Sequence, residues 1–147
     1  MSEKKRDAWR WLLLALGAGS LANAAWMLVD PLRWYHGLPV GVPDFGDFNP
    51  HFVRDIGCAF LAVGVAQLWA AGSPRQRYPL VAVSAIFLVA HAGLHLYDTA
   101  RGAVDAHHLW LDLPGVYLPA LLTGALSLVL ARQEGGSHAR PARSEAA

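Results

Sequence analysis

Charged side chains are missing from four stretches of this chain: Trp11 to Val29, Ile56 to Pro74, Tyr78 to Tyr97 and Leu113 to Ala131. They run for 19, 19, 20 and 19 residues. A helix rises ~1.5 Å per residue and a bilayer core is roughly 30 Å thick, so each stretch is one span long. The pattern predicts an all-α integral membrane protein, an antiparallel four-helix bundle with spans at about 9–29, 51–72, 78–98 and 112–131. Residues 1–133 form one domain on this reading. The Gly, Ala, Arg and Pro of residues 134–147 predict a disordered tail.

The links between the runs carry local signals. Asn49-Pro50 predicts the start of the second span, Asn as cap and Pro at the first helical position. Gly72-Ser73-Pro74 closes that span, and so short a link makes the second and third spans an antiparallel hairpin. About twenty residues follow Asp30-Pro31, rich in Gly and Pro and carrying Trp34, Tyr35, Phe45 and Phe48. A loop of that length is commonly a lid or a binding loop, and its aromatics predict that it lies on the membrane or over the helix ends. Asp105 to Trp110 reads as a link or a short interfacial helix. Pro119 predicts a kink or a lost hydrogen bond in the fourth span. In the first span, Gly17, Gly19, Ser20, Ala22, Ala24 and Ala25 allow a neighbouring backbone to approach closely.

Composition agrees with the pattern: 54% of residues are hydrophobic and 16% charged, against about 25% charged in ordinary soluble domains. That excludes a nucleic-acid role, a Rossmann-type cofactor site and a soluble hydrolase. The net charge of +1 says little, but the placement of the twelve basic residues says more. Lys4, Lys5, Arg6, Arg10, Arg75, Arg77, Arg132, Arg140 and Arg143 fall on one side, and only Arg33, Arg54 and Arg101 on the other. Cytoplasmic loops retain Lys and Arg, so both termini are expected in the cytoplasm. The basic start, the apolar run and Ala22-Asn23-Ala24 also imitate a secretory signal. The apolar stretch, however, continues to full spanning length, beyond the usual core of about 7–15 residues. The single cysteine, Cys58, excludes an internal disulfide framework and chemistry on a cysteine pair.

The candidate chemistry gathers on the outer side, where six of the seven histidines lie. In the third span His91, His95 and Asp98 stand at i, i+4 and i+7, within about 60° of one another on one helix face. His51, Asp55 and Cys58 repeat that spacing in the second span. In an antiparallel hairpin the two sets lie at matching depth, which predicts one outward-facing polar pocket. Its members are His51, Asp55, His91, His95 and Asp98, with Arg54 and Asp112 in support. Asp55 and Asp112 also suit helix N-termini, where the dipole favours an acid, and His107 and His108 read as solvated loop residues. Asp98 has no such account, because it stands at a helix C-terminus. Ionisable groups inside a span point to function by default.

Imidazole with carboxylate suits a divalent transition metal, Zn, Fe, Mn or Cu, and the five residues supply four or five ligands. A haem b alternative would use His51 and His95 as axial ligands, and a quinone redox role belongs to the same class. A third reading makes the groups a hydrogen-bond network in a structural or transport subunit. The partners expected are the lipid bilayer and other membrane subunits.

Phe48-Asn49-Pro50-His51-Phe52-Val53-Arg54-Asp55-Ile56-Gly57, together with His91-Ala92-Gly93-Leu94-His95-Leu96-Tyr97-Asp98, resembles segments of small, uncharacterised bacterial four-span inner-membrane proteins. The resemblance covers the central half of the chain. It implies a multi-pass protein of the bacterial cytoplasmic membrane and implies no activity.

Overall fold

A computed structural model describes residues 3–138 of the chain, with side chains from 8 to 135. Six α-helices follow one another: α1 (Glu3–Val29), α2 (Pro31–Gly37), α3 (Pro50–Gly72), α4 (Arg77–Ala100), α5 (His108–Leu111) and α6 (Leu118–His138). A 3₁₀ turn, Val42–Phe45, lies between α2 and α3, and a π-helical turn, Leu113–Tyr117, leads into α6. No strand occurs among the described residues. Four helical stretches are long and apolar enough to cross a membrane: Ala8–Val29, Pro50–Gly72, Arg77–Ala100 and Leu113–Gly135. α6 is helical to His138, past the start of the tail expected to be disordered, whose residues 139–147 lie outside the described part. Likewise α1 begins at Glu3, within a polar stretch that carries no apolar signal.

α1 packs on α3, α3 on α4 and α4 on α6. The α1–α3 contact is the closest, and glycine makes it so. A Cβ on Gly64 would lie 2.7 Å from Leu21 Cγ, and one on Gly17 would lie 2.8 Å from Leu68 Cδ2. Gly19 meets nothing within 4 Å, so only part of the small-residue stripe in α1 serves the contact. Two apolar clusters fill the bundle. Ala24, Met27, Val53, Phe60, Val63, Leu88 and Ala92 belong to the one near the α1–α3 and α4–α6 connections, called here the connector end. Leu13, Ala70, Val81 and Leu126 belong to the other, at the hairpin end. The buried Gln67 ties helices together with hydrogen bonds: its amide donates to Thr123 at 3.3 Å and its carbonyl accepts from Ser20 at 3.4 Å.

The caps follow from local chemistry. The Asn49 side chain accepts from the backbone N–H of His51 and Phe52, both at 3.1 Å, with Pro50 at the first helical position. Asp30 caps α2 by accepting from the Arg33 N–H at 3.2 Å. The connection expected to be an irregular loop is therefore largely ordered by α2 and the 3₁₀ turn. Where the sequence predicts a kink from Pro119, the chain widens before it: the Asp112 carbonyl accepts from both Val116 (2.8 Å) and Tyr117 (3.2 Å). Such π turns recur at functional sites.

Candidate functional site

The connector end holds two histidine–carboxylate pairs with a buried member. His95, on the inner face of α4, donates from Nδ1 to Asp112 Oδ2 at 2.7 Å. Asp112 is wholly buried, at 0% exposure, and its Oδ1 has no partner among the described residues. One turn before Asp112, on α5, His108 donates from Nε2 to Asp44 Oδ2 at 3.0 Å. His108 is 2% exposed, whereas the Asp44 side chain is 64% exposed on the 3₁₀ turn. Phe45, next to Asp44, joins the two pairs. Its ring centroid lies 4.7 Å from that of His95 and 4.9 Å from that of His108.

His91 continues the first pair inward, about 6 Å deeper at the helical rise per residue. Its ring meets that of His95 edge-on at 4.7 Å, stacks parallel to Phe87 at 5.7 Å and takes the edge of Phe60 at 5.7 Å. Near the mouth, the Thr99 hydroxyl donates to the His95 carbonyl at 3.0 Å. Phe45 thus lies against both imidazoles, and His91 lies deeper along α4 than His95.

The five residues expected to form one pocket separate into three contacts. His91 and His95 stay together. His51 Nε2 faces Asp55 Oδ2 at 3.5 Å, with side chains 88% and 60% exposed. Asp98 Oδ1 accepts from Arg101 Nε at 2.8 Å, a pairing that neutralises an acid at a helix C-terminus. Among the described residues, no three His, Cys, Asp or Glu side chains lie close enough to hold a metal ion together. Nor are His51 and His95 paired: the first lies on the exterior with Asp55, the second inside with Asp112. Arg54 reaches the Leu28 carbonyl with its Nε at 3.4 Å, bracing α3 on α1.

The reason lies in the rotation of α3. Val53, Gly57, Phe60, Gly64 and Gln67 form its buried stripe. At 100° per residue, Asp55 stands about 200° from both Val53 and Gly57, so it faces away from the bundle. Cys58, on the same face, is exposed. Two residues carry more than the sequence suggested. Asp112, taken as a supporting group or a cap, is the buried partner of His95, and His108, read as solvated, is buried. The signal for Asp112 was its place at the mouth of a span between apolar residues. No local signal marks His108, because Asp44, its partner, is 64 positions away.

The chain matches no family model, no curated protein and no solved structure.

Proposed function

We propose that this is a multi-pass protein of the bacterial cytoplasmic membrane, termini in the cytoplasm, with an acid–base centre at its outer end. The nine-to-three division of Lys and Arg supports the orientation. The buried Asp112 beside His95 carries the functional reading. An ionised carboxylate only accepts hydrogen bonds, so Asp112 holds the proton of neutral His95 on Nδ1 and leaves Nε2 as the free base. When Nε2 takes a proton, the imidazolium forms against a carboxylate already in contact, in surroundings where that attraction is strong. Such a pair can accept a proton from a small molecule and return it.

Imidazole ¹⁵N spectra of histidine-labelled protein in lipid nanodiscs test this reading. His95 should show a protonated Nδ1 and a reversible gain of a proton at Nε2 as the pH is stepped, and Asp112→Asn should disturb the tautomer. A His95 signal that never changes protonation would make the pair a structural clamp. Orientation is tested separately in a Cys58→Ala background by Ala103→Cys, which should be labelled by an impermeant maleimide from outside intact cells. Labelling only after lysis would reverse the topology.

Transition-metal binding is the second reading, favoured by the adjacent rings of His91 and His95 and by the carboxylate behind His95. A carboxylate on the far nitrogen is the usual support of a ligating histidine. On this reading the metal would sit on the two imidazoles, and His51, Asp55 and Asp98 would take no part.

A further inference from the structure

The 3₁₀ turn that carries Asp44 and Phe45 lies between two glycines with backbone angles that other residues rarely adopt, Gly41 at φ +71° and Gly46 at φ +138°. Phe45 packs against the His95 ring, the two centroids 4.7 Å apart. Asp44 is the hydrogen-bond partner of His108 Nε2, and among the described residues His108 Nδ1 has none. The buried imidazole is thus held through its side chain by one exposed carboxylate. Gly41 packs against this contact: a Cβ there would lie 3.2 Å from both Asp44 Oδ2 and His108 Cε1. Beyond the turn, the Tyr35 hydroxyl donates to the Gly46 carbonyl and ties the far hinge to α2.

We infer that residues 41–46 form a hinged lid over His95 and Asp112, with Phe45 as its plug, Asp44 on His108 as its latch, and Gly41 and Gly46 as its hinges. The parts have the properties opening requires. The latch is broken at the surface, on the Asp44 side, without unpacking a helix. The hinges turn without a Cβ clash, and Tyr35 keeps one of them in place while the turn swings. Opening admits water to His108, whose ring would otherwise lose its one side-chain hydrogen bond, and lays the His95 edge bare. Closing shields the His95–Asp112 pair from solvent again, which strengthens every charge interaction inside. The purpose of the lid rests on the acid–base reading of His95, but its opening is measurable without that reading.

The test is carbethoxylation of histidines by diethyl pyrocarbonate, followed residue by residue by peptide mass spectrometry on the full chain in nanodiscs. Nδ1 of His95 is engaged, so reaction there reports access to Nε2. The exposed His51 is the internal standard, and His91, one turn deeper between Phe60 and Phe87, reports general loosening. In the unaltered protein His95 should react far more slowly than His51. Asp44→Ala, which cuts the latch, should speed His95 by on the order of tenfold, as expected when a lost hydrogen bond biases an opening equilibrium, and Phe45→Ala, which removes the plug from the ring, should speed it at least as much. His91 should lag behind in both. Unchanged His95 rates in both variants, or an equal rise at His91, would overturn the lid. A lid that opens over a His95 fixed in one protonation state would instead reject the acid–base reading and leave the lid standing.

Discussion

Asp112 has no exposed surface and, among the described residues, receives its one side-chain hydrogen bond from His95, 2.7 Å away and 17 positions earlier in the chain. The contact joins α4 to the π turn before α6, and it places a carboxylate inside an apolar bundle. Taking a carboxylate out of water costs several kcal/mol (roughly) even after relaxation, so the cost must be offset locally. His95 supplies that offset, and the pair therefore acts as a unit.

That coupling is measurable. His95→Ala leaves Asp112 buried without a partner and should destabilise the protein by about 3–5 kcal/mol. Asp112→Ala combined with His95→Ala removes both groups and should cost less than the two single changes added together, by about 1–3 kcal/mol. Unfolding in mixed detergent micelles, measured for the four members of the cycle, checks this. Simple additivity would mean that the pair is solvated.

The spans were legible because a charge in a bilayer is expensive, and four runs of the right length lack one. The Asn49-Pro50 start was legible because a cap is a local affair. The site was legible only in part. Spacing of i, i+4 and i+7 puts His51, Asp55 and Cys58 on one face, but it does not say which way that face turns. The apolar and glycine stripe through Val53, Gly57, Phe60 and Gly64 sets the rotation of α3, and it sends Asp55 outward. On α4 the stripe through Val81, Ala85, Leu88 and Ala92 brings His95 inward, and its acid then comes from another element. Asp98, the acid on its own helix, is taken by Arg101. His108 was out of reach for a different reason: its burial depends on a turn that precedes it by a whole helical hairpin.

The α1–α3 contact makes a prediction by contrast between two glycines. A Cβ at Gly64 would sit 2.7 Å from Leu21 Cγ and 3.0 Å from the Leu21 backbone nitrogen, and a backbone cannot rotate away. Gly64→Ala should destabilise the bundle by about 1–3 kcal/mol, the usual range for overpacking. Gly19→Ala meets nothing within 4 Å and should be neutral, or stabilising by up to about 1 kcal/mol through helix propensity. Thermal unfolding of both variants in the same detergent distinguishes a packing contact from a general demand for small residues.

Arg77 makes another. It opens α4, yet its Nε donates to the Ala70 carbonyl at 3.0 Å and its Nη2 to the Ala71 carbonyl at 3.3 Å. These carbonyls end α3 and would otherwise lack partners, so one buried guanidinium clips the hairpin shut. Arg77→Ala should cost about 1.5–3 kcal/mol, in line with charge-assisted hydrogen bonds. Arg77→Lys should recover only part of it, because an ammonium lacks the forked donors that reach two carbonyls. Denaturation midpoints of the two variants, compared at one lipid-to-detergent ratio, decide the matter. Equal stability for Lys and Arg would reduce the contact to simple charge.

Metal titration separates the two readings of the connector end, because they assign different residues. If zinc binds at His91 and His95, then His91→Ala and His95→Ala should each lower its affinity on the order of tenfold or more, and Asp112→Asn by about 10–100-fold through the lost support. His51→Ala, Asp55→Asn and Asp98→Asn should leave zinc untouched, since the first two side chains lie on the exterior of α3 and the third is held by Arg101. Isothermal titration of the purified protein with zinc, repeated on each variant, reads this directly. Loss of binding in His51→Ala or Asp55→Asn would show that α3 rotates to bring its exposed face to the site, and would restore the five-residue pocket. Absence of binding in the unaltered protein would leave His95 and Asp112 to proton chemistry alone. In that case the bonded Nδ1 and the free Nε2 of His95, rather than a bound ion, define what the connector end can do.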